Sequence, residues 1–254
     1  MNRSDIKIDT FIHPEVKEDK VVLWDFDSMI HLCLYSGKSD EGIRNPEYTE
    51  DDIDFLQGKL NEMYLGILNK IEEKYNIIAL YCFIKGKGNF RRELYPEYKS
   101  NRPEPNPLLT PLYKYAEVAF KCIPSDGAEA DDYVYTFSKK INHNGLIVYV
   151  DGDLLQIPSL FYNYQKGEWI RVNEKESKYH IATKVLCGDS GDGVNFSPKI
   201  GKAYAEKNLN IDFTDYQYVK AIYNGYKKAW KDDSKLAKDY ARLTYKLLKL
   251  HDVS

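Results

Sequence analysis

Cysteine is scarce and scattered in this chain. Cys33, Cys82, Cys122 and Cys187 form no CxxC pair, which excludes a ribbon- or finger-type zinc site and gives no disulfide framework; free thiols in a reducing compartment are expected. The five histidines show no ligand spacing. Long apolar runs are missing too: the longest, IIALYCFI at 77–84, falls far short of the roughly 20 residues that span a bilayer. The N-terminus, MNRSDIKIDTFIHPEVKEDK, lacks the apolar stretch of a signal peptide. There is no repeat and no low-complexity segment. No excess of positive charge marks the chain as a nucleic-acid binder, since the net charge is −3. These absences point away from membranes, secretion and solenoids, and toward a cytoplasmic globular protein. At 254 residues it is long enough to bury a substantial core.

What is present is organised. KVVLWDFD (20–27), NIIALYCFI (76–84) and GLIVYV (145–150) read as buried strands. The segment 52–75 has helical spacing of Phe55, Leu56, Leu60, Met63, Ile67 and Ile71, and PLLTPLYKYAEVAF predicts another helix. The stretch 85–107 is basic and then proline-rich, so irregular or mobile structure is expected there. KCIPSDGAEADD predicts a turn into a helix near 129, residues 160–172 a hairpin with Lys-Gly at its turn, and the chain beyond 174 helices. Buried strands alternating with helices indicate an α/β domain with a largely parallel sheet.

Charge is unevenly distributed. Residues 85–102 carry Lys85, Lys87, Arg91, Arg92, Lys99 and Arg102 against two glutamates, and 220–249 carry nine Lys/Arg against three Asp; the latter alone reads as solvated helix faces. Acids gather elsewhere. Asp25 ends the first strand, with Asp27 two residues on; Asp151 and Asp153 follow the third; Glu129, Asp131 and Asp132 open a helix; Asp189 and Asp192 lie three apart in GDSGDG, as on one face of a helical turn. A helix cap would account for EADD alone, and an Asp-Gly turn for VDGD alone. The carboxyl ends of strands are where ligands collect in open α/β sheets. So many carboxylates at one edge repel unless cations neutralise them, and two divalent ions would do so. Such a pair, with a basic channel, suits phosphodiester hydrolysis.

KGKGNFRRELYPEYKSNRP (85–103), EADD (129–132), VDGDLLQIP (150–158) and LCGDSGDGVNFSPKIGKAYA (186–205), in this order, resemble the successive motifs of the flap endonuclease superfamily, the metal-dependent 5′ nucleases, and among them the stand-alone bacteriophage type. The resemblance covers about residues 20–210. It implies a PIN-like nuclease core at 20–173 behind an N-terminal extension (1–19). It also implies a basic gateway or helical arch at 85–107, and a helical region at 174–254 with a helix–three-turn–helix element around 186–208. Asp25, Glu129, Asp131, Asp132, Asp151, Asp153, Asp189 and Asp192 match the family's metal-binding acids, for two Mg²⁺ or Mn²⁺ ions. Arg91, Lys99 and Arg102 match residues at the scissile phosphate. Lys85, Lys87, Arg92, Lys199, Gly201 and Lys202 join these three as DNA contacts, with a potassium ion at the hairpin. The implied function is 5′→3′ exonuclease or 5′ flap endonuclease action in replication or repair. Expected partners are duplex DNA with a free 5′ end or flap, RNA/DNA hybrid and replication proteins. For a phage protein the location would be the host cytoplasm.

Two positions depart from the family pattern. Lys199 replaces the first hairpin glycine, so it must take a conformation that glycine normally supplies. Ile84 stands where an acid usually ends the second strand; Asp27, on the same strand face as Asp25, is a possible substitute. Two rival readings use the same residues. LWDFDSM resembles the nucleophile loop of haloacid-dehalogenase-type phosphatases, and the change at Ile84 suits a branched-DNA binder with weakened catalysis.

Overall fold

The computed structural model describes residues 17–35, 50–231 and 233–254; the expected N-terminal extension lies, up to residue 16, outside them. Its centre is a sheet of six strands among the described residues, in the order β3-β2-β1-β4-β5-β6. They are β1 (Glu18–Asp25), β2 (Tyr75–Lys85), β3 (Ile123–Ser125), β4 (Leu146–Tyr149), β5 (Leu160–Asn163) and β6 (Glu168–Arg171). The first five are parallel, and β6 closes the predicted hairpin antiparallel to β5.

Side-chain alternation sorts the core into two layers. Val22, Trp24, Cys82, Ile84, Leu146 and Val148 face α1 (Phe26–Tyr35), α2 (Glu50–Glu72) and α4 (Leu109–Ala119). Leu23, Phe83, Ile147 and Phe161 face α5 (Ala130–Lys140) and the 3-10 turn Gly152–Gln156. Near-continuous burial of Val22–Asp25 and Leu146–Tyr149 follows from helices covering both faces. The strand order reverses between β1 and β4, so the edge crevice lies at their carboxyl ends. Asp25 and Asp151 stand there.

Four local expectations need correction. The first strand stops at Asp25 and Phe26 opens α1, so Asp27 lies in the first helical turn, not on the strand face. There its Oδ1 accepts the Lys85 N–H at 3.0 Å. The basic stretch is not wholly irregular, since α3 (Phe90–Leu94) forms within it, capped by the Asn89 side chain. Three residues of the expected turn after 120 pair with β2 as β3. Asp189 and Asp192 sit on a tight turn, not a helical one: Asp189 Oδ1 accepts the Gly191 and Asp192 N–H groups at 2.9 and 3.2 Å, and Asp189 bridges to Val194. That turn needs Gly188, whose φ is +71° and whose Cβ, were there one, would fall 2.4 Å from the Val194 carbonyl oxygen. The C-terminal region is helical as expected: α6 (Glu174–Cys187), α7 (Lys202–Asn208), α8 (Asp215–Ala229) and α9 (Ser234–Leu248).

Candidate metal and nucleic-acid site

The carboxylates form three neighbouring knots along the carboxyl edge. In the first, Asp25 is 5% exposed and accepts the Ser28 hydroxyl. Burial, then the charges of Asp27 and Asp151, push its carboxyl up to about 7. Asp151 caps the 3-10 turn through the Asp153 N–H at 2.9 Å.

In the second knot Glu129 precedes α5, so its group and those of Asp131 and Asp132 benefit from the helix N-terminus. Lys99 donates to Glu129 and lies 3.8 Å from Asp192. The Tyr98 hydroxyl is 2.8 Å from Asp192 Oδ2 and 3.1 Å from Glu129 Oε2. Arg102 reaches Asp192 Oδ1 at 2.7 Å. Asp131 is pushed well above the carboxylate range by desolvation and by Asp132 and Glu129.

In the third knot Lys184, on the last turn of α6, bridges Asp153 and Asp189, the latter at 3.1 Å. Burial works against the Lys184 charge, but the two carboxylates outweigh it and raise its pKa. Asp189 is held below its usual range by the same ammonium and by two N–H donors, against the opposing effect of burial.

Asp132 and Arg91 differ from the rest. Asp132 is fully buried. It accepts from Arg91 Nη2 at 2.8 Å, from Arg91 Nη1, from the Glu129 N–H at 3.1 Å and from the His251 N–H at 2.8 Å. Arg91 is 1% exposed; its Nε and Nη2 also donate to the carbonyls of Leu247 and Lys249 at 2.7 and 3.0 Å, and its Nη1 lies 3.8 Å from Glu129. The expectation that Arg91 meets a phosphate is therefore corrected. A buried guanidinium that donates four hydrogen bonds to a buried carboxylate and two carbonyls ties α3, α5 and the end of α9 together. Lys85, Lys87, Arg92, Arg102, Lys199, Gly201 and Lys202 are exposed.

Lys199 stands at φ +68°, in the left-handed region that glycine usually fills, within a turn closed by the Ile200 N–H donating to the Ser197 carbonyl at 3.0 Å. Gly201, just before α7, has open space where a Cβ would stand, so no packing within the chain demands glycine there. Ile84 is 2% exposed in the apolar layer beneath α1, α2 and α4. Tyr98 and Lys184 escaped the sequence reading. Their signals were adjacency to Lys99 and a place on the helical turn before GDSGDG.

Among the described residues, no three His, Cys, Asp or Glu side chains converge as a ready metal cage; lysine and arginine side chains lie among the acids instead. The donor set still fits a hard divalent cation, because every candidate ligand is a carboxylate oxygen. Such a charge would offset the burial and the like charges that raise Asp25 and Asp131.

A family model described as 5′-3′ exonuclease, N-terminal resolvase-like domain, matches residues 43–182, more than half of the chain. A 5′-3′ exonuclease of Buchnera aphidicola subsp. Schizaphis graminum is 33% identical over 64% of this chain, which spans 61% of that protein. The flap endonuclease Xni of Shewanella amazonensis is 30% identical, with 67% of this chain and 74% of the relative covered. In fold, the chain is similar to T5 5′-exonuclease, solved with bound zinc (TM-score 0.53, 14% identity, covering 91% of this chain and 100% of that one). It is also similar to the catalytic core of Rad2 solved with DNA substrate (TM-score 0.54, 15% identity, 93% and 80% covered). The fold is thus a doubly wound α/β sheet with acids along its carboxyl edge. The chain belongs to the 5′-3′ exonuclease family and is an enzyme of the 5′ nuclease class.

Proposed function

We propose that this enzyme hydrolyses phosphodiester bonds near the 5′ end of duplex DNA, including 5′ flaps, with two divalent ions, Mg²⁺ or Mn²⁺. The observation that carries the reading is the three neighbouring knots of acids, drawn from four separate segments along the carboxyl edge of the sheet, beside exposed cations. Asp25, Glu129, Asp131, Asp151, Asp153, Asp189 and Asp192 would hold the ions. Asp132 shares the family motif, but its protein donors make it the residue that fixes the helix carrying Glu129 and Asp131. Bound there, the ions would supply an activated water and neutralise charge on the phosphate.

The chain's own groups do the rest. Lys99 and Arg102, now paired with Glu129 and Asp192, would turn to the phosphate. Lys184 would leave Asp153 and Asp189 as positive charge arrives, since cations compete for the same oxygens. Tyr98 keeps Glu129 and Asp192 in register. Lys85, Lys87 and Arg92 line the approach, and Lys199, Gly201 and Lys202 face the duplex, where backbone carbonyls of the turn are candidate ligands for K⁺.

This divides the chain into a core at 20–173 with a gateway at 85–107, and a helical region at 174–254 with its helix–three-turn–helix element around 186–208. RNA/DNA hybrid, contacts with replication proteins and a cytoplasmic location belong to the same proposal. Among the described residues, no helix is long and apolar enough to cross a membrane.

The experiment is a gel comparing 5′-flap, nicked, blunt duplex and single-stranded DNA with Mg²⁺, Mn²⁺ or chelator. Cleavage should start at the 5′ side and stop with chelator. Asp153→Asn should retain DNA binding and lose about 100-fold or more of the rate, at least what disturbing a metal's outer partners costs. Near-normal turnover of that variant in saturating Mg²⁺ refutes the metal assignment. Trapping of an aspartyl-phosphate on Asp25 would instead favour phosphatase chemistry, and binding without Mg²⁺-triggered cleavage a DNA binder.

A further inference from the structure

A groove of about 1270 Å³ opens between α6, α8 and α9, beside the C-terminal half of α5. The carboxylates gather at the other end of α5. The groove's floor is apolar, made by Ile181, Val185, Ile222, Ala241 and Leu250. Two further apolar groups lie open at its walls: Val219 is 66% exposed and Tyr245 43%.

Its rim is basic. Lys238, Arg242 and Lys246 recur at four-residue intervals on α9, which puts them in one row about 12 Å long at 1.5 Å per residue. None of the three side chains has an ion-pair partner among the described residues. Lys178, across the groove, is already paired with Asp215 at 2.9 Å. On a chain of net charge −3, a row of unpaired cations above an apolar floor is a local reversal of sign.

We propose that this groove docks an acidic, amphipathic peptide segment of a partner protein. Two helical turns of such a segment would set carboxylates opposite Lys238, Arg242 and Lys246 while its apolar face covers Ile181, Ile222 and Ala241. Nucleic acid fits less well. Phosphates would satisfy the rim but leave the apolar floor in contact with water. Charge on the rim would speed and orient docking, and the floor would supply affinity.

The test uses the full chain to select from a displayed library of random peptides about 16 residues long, roughly four helical turns. Enriched peptides should combine Asp or Glu with Leu, Ile or Phe at i, i+3, i+4 and i+7. Their affinity, read by fluorescence anisotropy, should fall about tenfold or more in the double variant Lys238→Glu, Arg242→Glu, and also in Val219→Asp. Circular dichroism and the cleavage rate should stay unchanged. Enrichment of neutral or basic peptides, or equal binding by the variants, overturns the proposal. So does loss of duplex-DNA affinity in the double variant, which would give the groove to nucleic acid. A dimer in sedimentation that the double variant abolishes would give it to a second copy of the chain.

Discussion

Ile84→Asp tests the departure at the end of β2. Ile84 is 2% exposed within an apolar layer, and its own backbone carbonyl accepts the Ser125 hydroxyl at 2.8 Å. Losing the buried side chain costs about 1.5–3 kcal/mol. The new carboxyl adds more. If burial keeps it protonated, holding a group of unfolded pKa about 3.9 neutral at pH 7 costs about 4 kcal/mol, at 1.36 kcal/mol per pH unit. The total, about 6–7 kcal/mol, is half or more of a typical domain's stability. The sign follows from the proton balance. The folded state would bind the proton more tightly than the unfolded state, so the penalty grows as pH rises above the unfolded value. At pH 5 it shrinks to about 1.5 kcal/mol, and urea titrations should recover roughly 2.7 kcal/mol relative to pH 7. The Mg²⁺ dependence of cleavage, measured on whatever variant stays folded, should be unchanged. A near-normal urea midpoint at pH 7 together with a lower Mg²⁺ requirement would refute this reasoning, because it would mean that the side chain reaches the acid edge.

Three further outcomes are expected. Lys99→Ala should lower kcat about 100-fold or more while duplex affinity changes little; an effect on affinity alone would make Lys99 a positioning group. Gly201→Val should fold normally, since the site of the new Cβ is open, yet weaken duplex binding by crowding the backbone's approach to phosphate. Equal loss of single-strand binding, or a lowered melting temperature, would count against that role. Lys199→Gly should raise the melting temperature by about 1–3 °C. A non-glycine residue at φ +68° costs about 1–2 kcal/mol, and the added freedom of glycine in the unfolded chain takes back part of the gain. An unchanged or lower midpoint would show that the turn stores no strain.

The strands at 20–25 and 146–149 were legible because burial on both faces makes each a continuous apolar run; the run at 76–84 reads the same, yet only Cys82–Ile84 of β2 are buried, and Ile78 is 63% exposed. The hairpin at 160–171 was legible from Lys166-Gly167. β3 was not, because Ile-Pro-Ser is too short to show a period, and only its parallel partner β2 defines it. The acids were legible as groups, since all four end or begin an element at the same edge. Their partners were less so. Lys184 looks like any lysine on a helical face until α6 is docked beside the 3-10 turn. Arg91 shares the composition of its exposed neighbours Lys85, Lys87 and Arg92, and only packing against Asp132 separates it from them. Asp27 was misplaced by two residues, because nothing in WDFDS marks where a strand gives way directly to a helix.

The tie between Arg91, Asp132 and residues 247–251 also bears on the order in which the acid edge is set. Asp132 takes a donor from His251, 119 residues later in the chain, and Arg91 gives two to carbonyls more than 150 residues on. Until that late segment has been synthesised and has docked, the buried pair lacks three of its hydrogen bonds, and the helix that Glu129 opens is held to the sheet by its apolar face alone. A nascent chain can thus complete its strands before the buried pair at the start of α5 is fully tied. The tie closes only with the last-made of these residues, so the start of α5 is the part of the acid edge whose setting waits longest on the rest of the chain.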